Sequence, residues 1–281
     1  MKICPTINET RAACRSLRLP GERLGLVPTM GALHEGHLSL VRAAKAQCDV
    51  VAVSIFVNPT QFGPAEDFGE YPRQLERDYQ LLKKEGVDIV FAPSAEEMYP
   101  KGEVTWVTVE RLSEKLDGRS RPGHFRGVTT VVAKLFHVVE PDVAFFGQKD
   151  AAQLAVIRRM ARDLNFPVEI VACPIVREPD GLAMSSRNGY LRPDERLRAL
   201  ALHRSLRRVE EEFRAGERSA ARLIAAASEV FAQEPEIRLD YFEIVDPHTL
   251  DPVERISQPT LVAVAVYVGT TRLIDNVVVT P

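Results

Sequence analysis

The chain has 281 residues, of which 45% are hydrophobic and 27% are charged, an ordinary composition for a globular protein with a substantial core. Its net charge of −3 gives no global electrostatic reason to expect nucleic acid or an anionic membrane as a partner. There is no apolar run of about 18 residues and no secretory signal, and the 4 cysteines lack CxxC spacing, so we expect a cytoplasmic protein with reduced thiols.

The first two-thirds of the chain alternate between strand-like and helix-like patterns. The run 49–58 is continuous and rich in β-branched residues, which is typical of a buried strand in a parallel sheet. The alternation predicts an α/β fold with a Rossmann-like, doubly wound parallel sheet. Strands are predicted at 23–29, 49–58, 87–93, 141–147 and 167–174, and helices at 36–48, 71–86, 127–140 and 150–165.

Beyond residue 175 the pattern changes. The stretch 177–195 is rich in turn residues, and it is followed by two helical segments and three extended runs. The last two runs are separated by a short turn at Gly269 and Thr270, which predicts a hairpin. We therefore expect two domains, with residues 1–175 forming the Rossmann-like domain and residues 176–281 a smaller α+β domain.

The stretch PTMGALHEGH at 28–37 lies between the first predicted strand and the first predicted helix. Ligands of open α/β sheets bind at such turns, and a helix N-terminus offers free N–H groups and a partial positive charge. His34 and His37 have the spacing of one helical turn, and Gly31 and Gly36 allow close approach of the backbone to a ligand. These features favour an anion site over a solvated loop. Metal binding by the two histidines is the less favoured interpretation, because no third histidine or cysteine lies near them in the sequence.

Two further loops carry candidate phosphate ligands. In FFGQKD (145–150), Lys149 follows a predicted strand and Asp150 could cap the next helix, with Gln153 one turn further on. The loop LAMSSRNGY (182–190) offers two hydroxyls and an arginine, although alone it is more typical of a linker.

Neutral and basic side chains lie in two other loops. Asn58, Gln61 and Tyr71 belong to the segment 54–73, which follows the second predicted strand and suits a small polar substrate. The loop RPGHFRGV (121–128) is either an anion site or a solvated run of charges.

Taken together and in this order, PTMGALHEGH, SIFVNPTQFG, YPR, RPGHFRGV, FFGQKD and MSSRN resemble the pantoate–β-alanine ligase family. That family belongs to the nucleotidyltransferases with HIGH and KMSKS motifs, to which HEGH and MSSR are similar. The resemblance covers nearly the whole chain and is weakest over 195–281. It implies ATP-dependent condensation of pantoate with β-alanine through a pantoyl adenylate, with AMP and pyrophosphate released. It also implies Mg²⁺ and a homodimer.

The resemblance also implies roles for individual residues. The catalytic set is His34, His37, Lys149, Ser185, Ser186 and Arg187. The ATP-binding set is Met30, Gly31, Ala32, Leu33, His34, Glu35, Gly36, His37, Gly147, Gln148, Lys149, Asp150, Val176, Met184, Ser185, Ser186 and Arg187, with Asp150 and Gly147 at the ribose and Val176 and Met184 at the adenine. The substrate-binding set is Gln61, Gln153, Met30 and Phe146 for pantoate, Asn58 and Tyr71 near β-alanine, and Arg121 and His124 in the same wall. Asp78 is the carboxylate implied on the Mg²⁺ side, and a surface charge is the alternative for it.

One departure from the family pattern is visible, and three other functions compete. The family often has KDxQQ where this chain has KDAAQ, so Ala152 replaces the first glutamine and Gln153 keeps the second. The rivals are a nucleotidyltransferase acting on a phosphate ester, an RNA-binding fragment related to tRNA synthetases and a catalytically inactive nucleotide sensor. The arginine-rich segment 196–212 is the best support for RNA binding, but acids and apolar residues alternate with its arginines.

Overall fold

The computed structural model describes residues 1–64 and 66–281. A six-stranded sheet forms its centre, with every strand parallel and the order β1-β4-β3-β2-β5-β6. The predicted doubly wound α/β sheet is therefore confirmed. Its strands are β1 (Lys2–Cys4), β2 (Leu24–Thr29), β3 (Val50–Ile55), β4 (Ile89–Phe91), β5 (Val143–Gly147) and β6 (Glu169–Cys173).

Helices connect these strands and continue into the C-terminal part. The interior of α6 is almost entirely buried, which suits its apolar sequence GVTTVVAKLF. The helices are α1 (Ile7–Leu17), α2 (Glu35–Gln47), α3 (Leu75–Lys84), α4 (Ala95–Met98), α5 (Asp117–Ser120), α6 (His124–Val139), α7 (Ala151–Asp163), α8 (Pro193–Arg214) and α9 (Ala220–Ala232).

The order of the sheet reverses between β2 and β5. From β2 the chain proceeds outward through β3 and β4, and it then returns so that β5 pairs with the other side of β2. Open α/β sheets bind ligands at the carboxyl ends of the strands beside such a switch point. The loops after β2 and β5 carry HEGH and GQKD, so the topology brings the two motifs together.

The N-terminal strand and helix were not among the predicted elements. β1 has only three residues and lies at the edge of the sheet, so it shows no usable alternation. A capping box starts α1, because Glu9 N donates to Thr6 Oγ1 and Thr6 N donates to a Glu9 carboxylate oxygen. The T-x-x-E spacing was the available signal for this helix.

A second sheet of three antiparallel strands follows, and its side chains face two different cores. On β8, Val262, Val264 and Val266 pack with α8 and α9, whereas Ala263 and Ala265 pack with the core of the larger domain. The strands are β7 (Ile237–Val245), β8 (Thr260–Val268) and β9 (Thr271–Val279), in the order β7-β8-β9. We propose that the domain division lies near residue 175, just after β6 ends.

The arginines of α8 face acids on the same helix. Arg207 pairs with Glu211, and Arg208 pairs with Glu212, each at i,i+4 spacing. Such pairing is typical of a solvated helix face. Among residues 1–64 and 66–281, no helix has the length and apolar character needed to cross a bilayer.

Candidate active site

A cavity of about 230 Å³ opens at the carboxyl ends of β2 and β5. A larger cavity of about 1140 Å³ adjoins it, because Arg121, Lys149, Gln153 and Arg187 line both. The two form one cleft at the switch point, where this class of sheet binds its ligands. The inner cavity brings together most of the residues predicted from the separate motifs, namely Met30, His34, Gly36, His37, Asn58, Gln61, Tyr71, Arg121, His124, Phe146, Gly147, Lys149, Asp150, Gln153, Val176, Met184, Ser185, Ser186 and Arg187.

The two histidines of HEGH lie at the start of α2, with ring centroids 4.1 Å apart. His34 is the N-cap, and its Nδ1 accepts the Gly36 N–H at 3.2 Å. The Nδ1 atom of His37 accepts the His34 N–H at 3.4 Å. A neutral ring whose Nδ1 accepts a hydrogen bond carries its proton on Nε2. Each ring can therefore donate from Nε2 to an anion.

Burial keeps both histidines uncharged at neutral pH. It lowers the pKa of His34 to about 4, with the charge of Lys149 adding to the effect. Burial, followed by the neighbouring His34 and Lys149, lowers the pKa of His37 to about 3. Gly36 has to be small, because a Cβ there would lie 2.9 Å from Cε1 of His34.

The position of Asp78 corrects the prediction of a Mg²⁺-side carboxylate, and it also corrects the surface-charge alternative. The Asp78 side chain is fully buried in α3, and its Oδ2 and Oδ1 accept the N–H groups of Ala32 and Leu33, each at 2.9 Å. It does not line the cavity. Ala32 has a left-handed backbone with φ of 49°, and Gly31 has φ of 80°. Asp78 therefore holds the strained loop that leads to His34.

The motif GQKD forms the second wall. β5 ends at Gly147, the turn Gln148–Asp150 follows, and α7 starts at Ala151. Lys149 lies in the cleft with its Nζ 4.0 Å from Asp150 Oδ1, and no carboxylate of residues 1–64 and 66–281 holds the ammonium more closely. Ala152, at the position where the family often has glutamine, is buried in the core rather than facing the cleft.

The Ser-Ser-Arg turn forms the third wall. Ser185 caps this turn by accepting the Arg187 N–H at 3.3 Å, and Ser186 Oγ donates to the Tyr71 hydroxyl at 3.3 Å. Arg187 is held by Asp67, with its Nε 3.0 Å from Oδ2 and its Nη2 2.8 Å from Oδ1. The segment 182–190 is thus part of the site and not the linker that it resembles in isolation.

Gln61 lines the cavity and belongs to a network of buried amides. Asn58 Nδ2 donates to Gln61 Oε1 at 3.0 Å and to the Gly127 carbonyl at 3.1 Å. Its Oδ1 accepts from the N–H and the hydroxyl of Thr60. All polar atoms of the Asn58 amide are therefore engaged within the protein. Gln61 Nε2 lies 3.1 Å from Met30 Sδ, a weak acceptor that a substrate oxygen could replace.

His124 and Arg121 form a linked pair beside Gln61. Burial, followed by the charge of Arg121, lowers the pKa of His124 to about 4. The neutral ring then donates from Nδ1 to the Gln61 carbonyl at 2.8 Å and accepts from Arg121 at Nε2, at 3.0 Å. Arg121 also pairs with Glu66 at 2.8 and 2.6 Å. His124 thus acts on the cavity through its neighbours.

Some predicted residues do not reach the cavity. Three of them belong to the loop between β2 and α2 that leads to His34. The other two point away from the cavity: Glu35 pairs with Arg42 on the outer face of α2, and Gln148 turns towards Asn276 on β9. Besides Asp78, the predicted residues that do not line the inner cavity are Gly31, Ala32, Leu33, Glu35 and Gln148.

Sequence reasoning missed an apolar wall formed by α6. Val128, Val131, Val132 and Leu135 recur at helical spacing and line the cavity beside Phe146. The periodicity was a visible signal, but a buried core face gives the same pattern. The acids Glu66 and Asp67 were also missed, because their partner arginines lie 55 and 120 residues away in the sequence.

The fold and the site define a class of protein. A doubly wound sheet whose cleft is lined by two histidines from the loop and helix after β2, a lysine after β5 and a Ser-Ser-Arg turn is typical of a nucleotide-binding α/β protein. A family model described as pantoate-beta-alanine ligase matches residues 2–278. The chain belongs to the pantoate–β-alanine ligase family.

Individual relatives agree with this assignment over the full length. The pantothenate synthetase of Acidobacterium capsulatum is 64% identical, and the match covers 99% of this chain and 96% of that protein. The crystal structure of pantothenate synthetase from Thermus thermophilus is 50% identical with a TM-score of 0.95, and all of both chains is covered. Pantoate-beta-alanine ligase from Francisella tularensis, solved as a complex with beta-gamma ATP and beta-alanine, is 34% identical with a TM-score of 0.78, covering 99% and 97% of the two chains.

Proposed function

We propose that this chain joins pantoate to β-alanine with ATP, as its family does. A carboxylate oxygen of pantoate forms a bond to the α-phosphorus, the bond from that phosphorus to the bridging oxygen breaks, and pyrophosphate leaves. The amine of β-alanine then bonds to the acyl carbon, the acyl C–O bond breaks, and AMP leaves as the amine loses a proton. The observation that carries the proposal is one cleft in which three loops with candidate phosphate ligands adjoin a pocket of amide and apolar side chains.

His34 and His37 are proposed to act as neutral donors to the phosphates. Charge grows on the oxygen between the α- and β-phosphates as pyrophosphate leaves, and donors placed beforehand stabilise that charge. The Nε2–H tautomers of both rings supply such donors. His37 is the more deeply buried of the two, and we assign it to the leaving group.

Lys149 and the Ser-Ser-Arg turn are proposed to hold the phosphates from the other side. Lys149 is a point charge on a flexible stem whose nearest carboxylate among residues 1–64 and 66–281 is 4.0 Å away, which suits a polyphosphate. Ser185, Ser186 and Arg187 add hydroxyl and guanidinium donors. Adenylation needs positioned charge more than covalent chemistry by the enzyme, and this arrangement meets that need.

The remaining cleft residues divide between nucleotide and substrate. We assign Gly147 and Asp150 to the ribose, and Val176 and Met184 to the adenine, all at the cleft wall. A further set is assigned to the acid substrate: Gln61 and Gln153 for its hydroxyl and carboxylate, and Met30 and Phe146 for its gem-dimethyl group.

The β-alanine end of the cleft is proposed to lie near Tyr71. Asn58, whose amide is fully engaged, is reassigned from substrate contact to positioning Gln61. His124 likewise positions Arg121 and the Gln61 carbonyl. Arg121 remains the cationic candidate for a substrate carboxylate in this wall.

Mg²⁺ is proposed to enter with the nucleotide. No cluster of three or more His, Cys, Asp or Glu side chains able to hold a metal occurs among residues 1–64 and 66–281. Asp150 is the one carboxylate lining the inner cavity in that same part of the chain. This donor set fits an ion held mainly by phosphate oxygens and water, with Asp150 as the carboxylate of the inner cavity that could contribute a ligand. When bound, Mg²⁺ would neutralise part of the phosphate charge.

A homodimer and a cytoplasmic location are also proposed. The four cysteines are buried free thiols, which suits a reducing compartment. The segment 103–109 runs outside both sheets and exposes Val104 and Trp106, at 84% and 40%, and this apolar surface supports self-association. Sedimentation of the protein and of a Val104→Asp variant tests the dimer. A monomer at all concentrations would contradict it.

The reaction is tested by exchange of labelled pyrophosphate into ATP. We expect exchange only when pantoate is present, and pantothenate only when β-alanine is added. Lys149→Ala is expected to lower exchange to a small but measurable residual rate while the protein keeps its fold, because Lys149 lies at a loop mouth and not in the core. Nucleotide transfer to a phosphate ester without pantoate-dependent exchange would overturn the ligase assignment in favour of the nucleotidyltransferase rival.

A further inference from the structure

Asn276 connects the last strand of the chain to the turn that carries Lys149. It lies on β9, and only 2% of it is exposed. Its Nδ2 donates to the carbonyls of Gln148 and Lys149, each at 2.9 Å, and its Oδ1 accepts from Gln148 Nε2 at 3.2 Å. Both donors and the acceptor of this amide are therefore used on one turn, 127 or 128 residues away in the sequence.

The turn has no comparable support of its own. Neither the turn Gln148–Asp150 nor the start of α7 has a side-chain cap, since Gly147 has no side chain to offer and Asp150 makes no cap hydrogen bond. The bonds from Asn276 are the side-chain contacts that the carbonyls of Gln148 and Lys149 receive. Because these carbonyls flank the Lys149 Cα, they fix where its side chain starts.

The strand that carries Asn276 is itself anchored. The preceding residue, Asp275, binds Arg177 through two contacts at 2.6 and 3.0 Å, and Arg177 also donates to the Gly181 carbonyl at 3.0 Å. The Asp275 side chain is 2% exposed, so the pair lies in a sheltered position. The same strand thereby holds Arg177 and, through it, the chain at Gly181, which leads to the Ser-Ser-Arg turn. Asn276 is therefore held in place, and its hydrogen bonds fix the position of the turn Gln148–Asp150.

We propose that Asn276 is a positioning residue for adenylation, which sets the place of Lys149 against the nucleotide phosphates. This inference rests on the proposed role of Lys149. The Nδ2 donors of Asn276 hold the backbone of the turn Gln148–Asp150, and the charge of Lys149 acts on the phosphates. A displacement of about 1 Å in such a group can cost about 100-fold in rate.

The test uses Asn276→Ala and Asn276→Asp with pantoate-dependent pyrophosphate exchange as the first readout. Both variants are expected to lower kcat/KM for ATP in this reaction about 10- to 100-fold. The carboxylate of the second variant faces two carbonyl oxygens and cannot donate, so we expect it to be no better than alanine despite its matching shape. Near-normal exchange by Asn276→Asp would show that Asn276 only fills space, and the proposal would fail.

A second readout separates positioning from general stability. The aminolysis of preformed pantoyl adenylate by β-alanine needs no pyrophosphate departure, so it is expected to change less than about threefold in the Asn276 variants. Val279→Ala, which removes buried volume from the same strand, is the matched control and should lose stability without a change in KM for ATP. Equal losses in both half-reactions, or a loss of exchange in the control, would overturn the proposal.

A double variant tests whether Asn276 acts through Lys149. If it does, Lys149→Ala/Asn276→Ala exchanges pyrophosphate no more slowly than Lys149→Ala alone. Additive losses would contradict the inference while leaving the reaction intact. If Lys149→Ala itself retains full exchange, the proposed role of Lys149 fails instead, so the two failures are distinguishable. Should Asn276→Ala not fold, Asn276→Asp carries the same comparison.

Discussion

Arg187 and Asp67 form a two-point ion pair across the mouth of the cleft, with contacts at 2.8 and 3.0 Å. Glu66, which precedes Asp67 in the sequence, forms a similar two-point ion pair with Arg121. Two arginines that are predicted to bind anions are thus held by carboxylates of the segment 66–73. If Arg187 binds the nucleotide phosphates as proposed, an incoming phosphate competes with the protein's own acid for it.

Asp67→Asn is therefore expected to lower KM for ATP. A partly exposed ion pair contributes up to about 1 kcal/mol, which corresponds to a decrease of about two- to fivefold. Steady-state exchange kinetics measure this directly. Asp163→Asn removes an arginine-paired acid on α7, away from the cleft, and should leave KM unchanged. A rise in KM for Asp67→Asn would show that the acid instead holds Arg187 ready for the nucleotide.

His37→Ala removes a proposed donor to the leaving pyrophosphate. Loss of one such donor lowers kcat on the order of 10²–10³. The pantoate-dependent exchange rate is the measurement, with KM for pantoate as an internal comparison that should change little. Unchanged turnover in a folded variant would give His37 a structural role only, through the hydrogen bond between its Nδ1 and the His34 N–H.

The lowered histidine pKa values predict an unusual pH dependence of catalysis. Because burial lowers the pKa of His34 to about 4 and that of His37 to about 3, neither ring changes charge near 6.5, the ordinary value. The acid limb of kcat/KM for ATP, which reports the free enzyme, should lie near pH 4. A limb near 6.5 that disappears in His34→Gln would contradict the neutral tautomers assigned to the site.

The same shifts affect stability. In the unfolded chain these histidines titrate near 6.5, so between 6.5 and about 4 the unfolded state binds more protons than the folded state. The contribution of these two histidines to the free energy of unfolding is then constant above this range and falls as the pH drops through it. Urea unfolding at about pH 7 and about pH 5 should show a smaller decrease for His34→Gln/His37→Gln than for the parent. Equal decreases would contradict the lowered pKa values.

Asp78→Asn tests the loop-holding role of this buried carboxylate. The amide presents one N–H₂ group to two backbone donors, so one of the N–H groups of Ala32 and Leu33 loses its acceptor. A buried donor without a partner costs about 1–3 kcal/mol in the free energy of unfolding. We expect that loss together with a higher KM for ATP, since the loop leads to His34.

Asp142→Asn is a matched control for the Asp78 variant. Asp142 accepts the Leu24 N–H at 2.7 Å at the opposite end of β2, so this variant should lose stability but keep KM for ATP. Titration with Mg²⁺ can contradict the loop-holding role. If Asp78→Asn is fully stable but needs more Mg²⁺ for activity, Asp78 is a metal ligand after all.

The limits of sequence reasoning follow from distance along the chain. The alternation of strands and helices predicted the sheet, and the rule for switch points then placed His34 and Lys149 in one crevice. The residues that hold these loops could not be found in the same way. Nothing in an amphipathic helix shows that Asp78 turns inward to a loop 46 residues earlier, or that Asn276 reaches Lys149 across 127 residues. Such contacts depend on tertiary packing, which local patterns do not record.

Gly127 gives a test of the proposed pantoate pocket from outside the cavity. It lies on α6 where this helix meets the turn Pro59–Gln61, and a Cβ on it would be 2.4 Å from the Thr60 carbonyl oxygen and 2.7 Å from Gln61 Cα. Both are backbone atoms, so the turn must move as a unit. Its own carbonyl also accepts the Asn58 amide at 3.1 Å, which would be strained by the same movement.

Gly127→Ala is therefore expected to displace Gln61 and raise KM for pantoate about 10- to 100-fold, because misplacement of about 1 Å is enough for losses of this size. KM for ATP should stay within about threefold of the parent value, since the loops that are proposed to bind the phosphates follow other strands than the turn Pro59–Gln61. Gly69→Ala, where nothing lies within 4 Å of the new Cβ, is the control and should behave like the parent. A folded Gly127→Ala with normal KM for pantoate would remove Gln61 from the pantoate site, because the turn that carries it cannot accept this side chain without moving.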